Sequence, residues 1–223
     1  MNNLKNIKNI LFDCDGVLYN DLEAVFGQVS KRMTKYISNK LNLDLVKAKE
    51  LQRDYFHKYN TSLNGLMIHH DIPPEEFLEY VHDIDLSFME KDLVLRNELE
   101  NINLNKFVFT NGSRAHVKNI VKTLGIEDQF KDIFDIVDAK YHPTPEATAF
   151  DLMIDKFKIN PKETLYIEDI AKNLSIGKER GTITAWLINN EYWGKKESDK
   201  DYIDYKIENL SLFLKEIRLL KSS

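Results

Sequence analysis

The chain has 223 residues, 43% of them hydrophobic and 30% charged, with a formal net charge of -5. That balance suits a soluble globular protein with one sizeable core, or a core plus a smaller lobe, and it offers no basic stripe for a nucleic-acid polymer. A single cysteine, Cys14, excludes an internal disulfide, the N-terminal stretch has no apolar signal segment, and no apolar run is long enough to span a bilayer. A cytoplasmic protein with no membrane partner is the expectation.

The first element is an apolar run, Ile7–Phe12, which reads as a buried parallel strand and stops on Asp13-Cys14-Asp15-Gly16. Two carboxylates two residues apart at a strand end raise each other's pKa unless a cation sits between them. A hard divalent ion such as Mg2+ favours oxygen ligands of this kind. Gly16 lets the chain turn away where a side chain would obstruct the site. Aspartates also serve loops and helix caps, so this stretch alone leaves both readings open. Strand alternation points Cys14 away from its neighbours as a small buried apolar residue.

From Asn20 to about Lys91 strand signals vanish and helical periodicity takes over: Leu22–Leu41, Leu45–Tyr59, a piece near Ser62–His70, and Glu75–Val81 after Pro73-Pro74. An all-helical insert directly after the first strand reads as a cap over the strand ends. It spans residues 20–90, with residues 1–19 and 91–223 forming the core. His57, His69, His70 and His82 share no metal-ligand spacing on one face and read as structural.

A helix near Asp92–Asn101 re-enters the core. Strand and helical patterns then alternate: Lys106–Thr110, Arg114–Leu124, Ile133–Val137, Glu146–Phe157, Thr164–Ile167, Ala171–Arg180 and Ile183–Ile188. Such alternation implies right-handed crossovers and an α/β fold with a mostly parallel sheet covered by helices on both faces. Ligands of these sheets bind beyond the carboxyl ends of the strands, the edge where Asp13, Thr110 and Glu168-Asp169 all fall.

A threonine hydroxyl with free N–H groups at a helix start, as in Thr110-Asn111-Gly112-Ser113, binds phosphate well, and ordinary capping explains the same residues. Arg114 is either an anion ligand or a solvated cation. Glu168 and Asp169 would complete an oxygen shell with Asp13 and Asp15, or complement the dipole of the following helix. His142, in the rigid turn 140–146, would offset phosphate charge or serve as a surface residue.

In their order, D-x-D-G-V-L at Asp13–Leu18, T-N-G at Thr110–Gly112, H-P-T-P-E at His142–Glu146 and E-D at Glu168–Asp169 resemble the haloacid dehalogenase superfamily of aspartate-nucleophile phosphatases, over nearly the whole chain. A closer similarity is to the pyrimidine 5'-nucleotidase branch, through residues 54–67, Tyr80-Val81-His82, residues 110–116 and Leu124-Gly125-Ile126. The resemblance implies a Rossmann-like sheet with a small all-helical cap, Asp13 as nucleophile and Asp15 as acid and base. It implies Mg2+ held by Asp13, the Asp15 main-chain carbonyl and Asp169 with help from Glu168, and phosphate contacts from Thr110, Asn111, Gly112 and His142. The implied partner is a small phosphorylated metabolite, a nucleoside 5'-monophosphate with a pyrimidine preferred, read by Tyr59, Thr61, Asn64 and Met67 in a monomer or homodimer. The superfamily places lysine where this chain has His142, and Lys140 is the other candidate for that charge. Two alternatives stay open: a sugar phosphomutase of the same fold, and a degenerate member that binds without turnover.

Overall fold

Six strands, β1 (Asn9–Phe12), β2 (Asn105–Phe109), β3 (Asp132–Phe134), β4 (Thr164–Glu168), β5 (Ile183–Leu187) and β6 (Tyr205–Ile207), pair in parallel in the order β3-β2-β1-β4-β5-β6. The structure is a computed structural model describing residues 2–19 and 21–222. Asn20, the first residue of the expected helical insert, lies outside the described residues, as do the two terminal residues. Strands β1, β4 and β5 are buried at every position, as parallel strands covered on both faces must be. Alternation splits their side chains. Ile10, Phe12, Leu165 and Ile167 join one apolar cluster, while Leu11, Phe107, Tyr166 and Trp186 join another. At the opposite end of the sheet from the acidic residues, buried Asn9 ties its neighbours together: its amide donates to Thr164 Oγ1 at 3.3 Å and its carbonyl accepts from Asn105 at 2.8 Å.

Between β1 and β2 run α1 (Leu22–Leu41), α2 (Leu45–Tyr59), α3 (Ser62–His70) and α4 (Pro74–Val81). Asp21, Asp44 and Thr61 cap the first three, each accepting from the N–H three residues on at 3.0, 2.9 and 3.1 Å. Their apolar faces close on one another around Tyr36, Ile37, Leu66, Phe77 and Val81, a cluster joined from the core by Ile136. The remaining helices are α5 (Leu93–Asn101), α6 (Arg114–Leu124), α7 (Ala147–Phe157), α8 (Leu174–Glu179), α9 (Tyr192–Lys195) and α10 (Leu210–Ser222). Helices α5, α6 and α10 cover one face of the sheet, and α7 with α8 covers the other. No helix among the described residues is long and apolar enough to cross a membrane.

The sequence reading and the structure part at identifiable places. β3 stops at Phe134, short of the expected Val137, because Asp135 folds the chain into a turn in which its carboxylate accepts from the Asp138 N–H at 2.9 Å. β1 begins at Asn9 because residues 2–6 form a 3-10 turn. The expected helix over 171–180 is a 3-10 turn, Ala171–Asn173, followed by α8. β6 and α10 have no counterpart in the sequence reading: a three-residue edge strand with an exposed middle residue leaves no apolar run to detect.

The order fixes where a ligand can enter. From β1 the chain first builds outward through β2 and β3, then returns to the far side for β4, β5 and β6. At such a switch point the crossovers leave in opposite directions and open a crevice beyond the strand ends. In this chain that crevice holds Asp13, Thr110 and Glu168.

Candidate active site

β1 delivers Asp13 with only 9% of its surface exposed, and the Asp13 N–H is fixed to the Ile167 carbonyl of β4 at 3.0 Å. β4 delivers Glu168 and Asp169, 2% and 1% exposed. Oxygens of these three carboxylates lie within 4.8 Å of one another. Burial, then the charges of Glu168 and Asp15, push Asp13 well above the usual carboxylate range, against the Cys14 N–H and the Thr110 hydroxyl. Burial, Glu168 and Asp13 push Asp169 up in the same way. Burial raises Glu168 to about 7 even though Asn173 Nδ2 and the Ile170 N–H both donate to it at 2.5 Å. Three crowded buried oxygen donors that resist ionisation are a donor set matched to a hard divalent cation, and they fit Mg2+.

Gly16 takes φ +77° and packs directly on this cluster. Asp169 is held from behind by residues absent from the sequence reading: the Asn189 amide donates to its carboxylate at 3.0 Å, and the Trp186 indole N–H donates to its main-chain carbonyl at 2.8 Å. Cys14 is fully buried, and burial followed by the two flanking aspartates raises its thiol pKa, so it stays a neutral packing residue.

Asp15 turns to a different set of partners. Its Oδ1 accepts from the Tyr19 hydroxyl at 2.5 Å and lies 2.8 Å from His116 Nε2. Burial raises its pKa, but His116 and Tyr19 outweigh burial and leave the carboxyl below its ordinary value. The 1%-exposed ring of His116 stacks on His82 at a centroid distance of 4.4 Å. Burial, then His116, lowers His82 to about 3, and its Nδ1 lies 2.9 Å from the Ser113 hydroxyl. His82 is thus no isolated structural histidine, because the end of α4 brings it onto α6. His116 had a local signal: it stands in the first turn of the helix that Ser113 caps, beside the Thr110–Gly112 turn.

Thr110 is buried at the end of β2, where its Oγ1 accepts from the Gly112 N–H at 3.1 Å. The Asn111 side chain is engaged away from the crevice: it donates to Thr144 Oγ1 at 2.8 Å and accepts from the Thr144 N–H at 2.9 Å. That clasp binds the 140–146 turn to the β2 loop. His142 does not reach the crevice. It is exposed and bonds to Glu146 at 2.9 Å, because the Asn111–Thr144 clasp draws in Thr144 rather than the residue before Pro143. Lys140 is likewise exposed, and neither candidate for the superfamily lysine's charge lines the cavity over the acidic cluster. Arg114 is committed elsewhere, paired with Asp132 at 2.8 Å and Asp138 at 2.9 Å.

A cavity of about 350 Å³ opens over Asp13, Asp15, Thr110, Asn111, Gly112 and Glu168 and runs under the helical insert. Of the four residues expected to read the substrate, only Thr61 lines it. Tyr59 bonds His69 at 2.5 Å on the exposed side, Asn64 donates back to the Tyr59 carbonyl at 3.2 Å, and Met67 packs into the insert's own core. The walls come instead from residues without a local motif, among them Phe26, Met33, Lys49, Arg53 and Phe56, with Trp193 reaching across from the sheet side. Trp193 lies 6.2 Å from both Phe26 and Phe56 by ring centroids.

An acid-tipped parallel sheet beneath a helical insert defines the class, and residues 7–181 match the family model of haloacid dehalogenase-like hydrolases; the chain belongs to that family. It is 26% identical to the glyceraldehyde 3-phosphate phosphatase of Methanocaldococcus jannaschii, covering 96% of this chain and 99% of that one. It is 27% identical to the D-ribitol-5-phosphate phosphatase of Bacteroides thetaiotaomicron, covering 84% and 95%. Among solved structures, the HAD-hydrolase YfnB of Bacillus subtilis bound to magnesium superposes with a TM-score of 0.58 at 16% identity, covering 98% and 100%.

Proposed function

We propose that the chain is a Mg2+-dependent phosphomonoester hydrolase that works through an aspartyl-phosphate on Asp13. The observation that carries this reading is the buried carboxylate cluster at the mouth of a closed-over cavity, next to a second carboxylate, Asp15, kept chemically distinct from it. Asp13, Asp169 and the Asp15 main-chain carbonyl would hold the ion, with Glu168 supporting them. When bound, Mg2+ supplies the positive charge that lets Asp13 stand as an anion beside a phosphate dianion.

An Asp13 carboxylate oxygen attacks phosphorus and the bond to the leaving oxygen breaks, while Asp15, which takes up a proton as the charge of the phosphate arrives beside it, passes that proton to the leaving oxygen. Asp15, now ionised, takes a proton from water as the water oxygen attacks the phosphorus of the aspartyl-phosphate, which frees Asp13 and phosphate. The Tyr19 hydroxyl and His116 aim Asp15 at this exchange. The Thr110 hydroxyl and the Asn111 backbone N–H receive the phosphoryl oxygens, and the Gly112 N–H holds the Thr110 hydroxyl in place for that positioning role. Neither His142 nor Lys140 lines the cavity with them, so more of the charge compensation falls on the metal and these neutral donors.

Two substrate readings share this chemistry. A nucleoside 5'-monophosphate, pyrimidine preferred, is supported by the cap's likeness to the 5'-nucleotidase branch and by the ring-lined cavity of Phe26, Phe56 and Trp193. A sugar or polyol phosphate is supported by the activities for which the two relatives are named. The test is hydrolysis of p-nitrophenyl phosphate with and without Mg2+ by the natural chain and by Asp13→Asn, followed by a panel of UMP, CMP, AMP and sugar phosphates. Silence of the natural chain with Mg2+ across pH 5 to 9 would leave the non-catalytic binder as the better account.

A further inference from the structure

The same cavity carries a second, cationic region. Lys49 and Arg53 stand one turn apart on α2 with Gln52 in register, and all three line the cavity. The chain has six arginines. Five of them, Arg32, Arg96, Arg114, Arg180 and Arg218, pair with carboxylates. Neither Arg53 nor Lys49 forms an ion pair among the described residues.

Lys49 is nevertheless held in place. Its ammonium donates to the Ser30 hydroxyl at 2.6 Å. Buried Gln52 accepts from the Thr34 hydroxyl at 2.6 Å and turns its amide to the same Ser30 at 3.1 Å. Glu23 of α1 is the acid that acts on Lys49, and burial together with the Arg53 charge outweighs it, lowering the ammonium pKa. Like charges one helical turn apart repel. Two cations that line a cavity with no acid in ion-pair contact leave both charges available to an anionic ligand group. In a protein of net charge -5 this is a local reversal of sign at the substrate's own door.

We propose that Lys49 and Arg53 form an anion subsite for a second acidic group of the substrate, so that the substrate class is a phosphomonoester bearing a remote carboxylate or phosphate. The inference rests on the phosphatase reading for the first phosphate. It narrows both substrate readings, since a second phosphate on a sugar or a carboxylate on a base meets it, and a neutral-ended monophosphate does not.

The test is binding of three non-hydrolysable probes to the full chain with Mg2+ by calorimetry: pentylphosphonate, pentane-1,5-bisphosphonate and 5-carboxypentylphosphonate. At least one doubly acidic probe is expected to bind about tenfold or more tightly than pentylphosphonate, the scale of one charge-assisted contact. Which of the two gains distinguishes a remote phosphate from a remote carboxylate. The Lys49→Ala/Arg53→Ala double variant should bring the probes to within about twofold, and Lys49→Arg should keep the preference. Both positions are exposed on α2, and unchanged melting confirms the fold. Equal affinities in the natural chain, or a preference that survives in the double variant, would overturn the subsite. Turnover of p-nitrophenyl phosphate is scored separately: its absence removes the phosphatase reading, while the probe comparison decides the subsite by itself.

Discussion

Gly16 lies so close to Asp169 that a methyl group added to it would stand 2.3 Å from a carboxylate oxygen of that residue. Its φ of +77° is also one that side chains rarely adopt. A Gly16→Ala substitution therefore meets two penalties, backbone strain of about 1 kcal/mol and a collision that must push Asp169 out of the cluster. The expected outcome is a folded protein with Mg2+-dependent activity reduced by about 100-fold or more and a raised Mg2+ requirement. Activity and metal titration curves superimposable on those of the natural chain would contradict it.

Asp13→Asn separates catalysis from stability. The amide cannot form the aspartyl-phosphate, so turnover should fall by roughly 10⁴-fold or more. The same change removes a carboxyl whose ionisation burial, Glu168 and Asp15 all oppose, a cost that grows as pH rises. The metal-free variant should thus melt above the natural metal-free chain, by about 2–4 °C for each kcal/mol of relieved repulsion. Thermal melts in EDTA check this, and a lower melting temperature for the variant would show that the cluster is not strained by its own charge.

The acid tips of the sheet were readable in the sequence because each stands at the end of an apolar run, where the local pattern itself announces the strand end. Asp13, Asp15, Thr110, Glu168 and Asp169 all have this property. The cavity walls did not: Phe26, Lys49, Arg53 and Trp193 come from three separate segments and meet only through packing of the insert on the sheet. His142 misled for a related reason. Its motif position is right, but the hydrogen bonds between Asn111 and Thr144, which set the turn's orientation, link residues 33 apart in the chain. β6 was invisible because three residues with an exposed middle position make no apolar run, whereas α10 carries a helical period in Leu210, Phe213, Leu214 and Ile217 that lay in the sequence unread.

Glu168 sets a pH dependence with a definite sign. Burial raises it from an ordinary 4.5 to about 7, so the folded metal-free protein binds a proton there that the unfolded chain has released. Stability contributed by this group is present below pH 4.5 and is lost as pH rises toward 7. Mg2+ competes with that proton and with those that the raised Asp13 and Asp169 hold, so the rise in melting temperature on adding Mg2+ should grow from pH 5 through pH 7. A magnesium-induced shift independent of pH across that window would argue against the carboxylate cluster as the metal's seat.

His82 has the opposite sign. Burial and the stacked His116 hold it near 3, while an unfolded histidine titrates near 6.5. Below pH 6.5 the unfolded chain gains a proton that the folded one refuses, so stability is lost as pH falls toward 3. His82→Gln should flatten this acid limb, with little change in melting at pH 8 beyond the ring stack it removes. Because the His82 ring lies on the histidine that holds Asp15, the variant should also slow hydrolysis of alkyl phosphates more than of p-nitrophenyl phosphate, whose leaving oxygen needs less help from a proton donor. Equal slowing of both substrates would mean that the stack supports the fold without aiming Asp15.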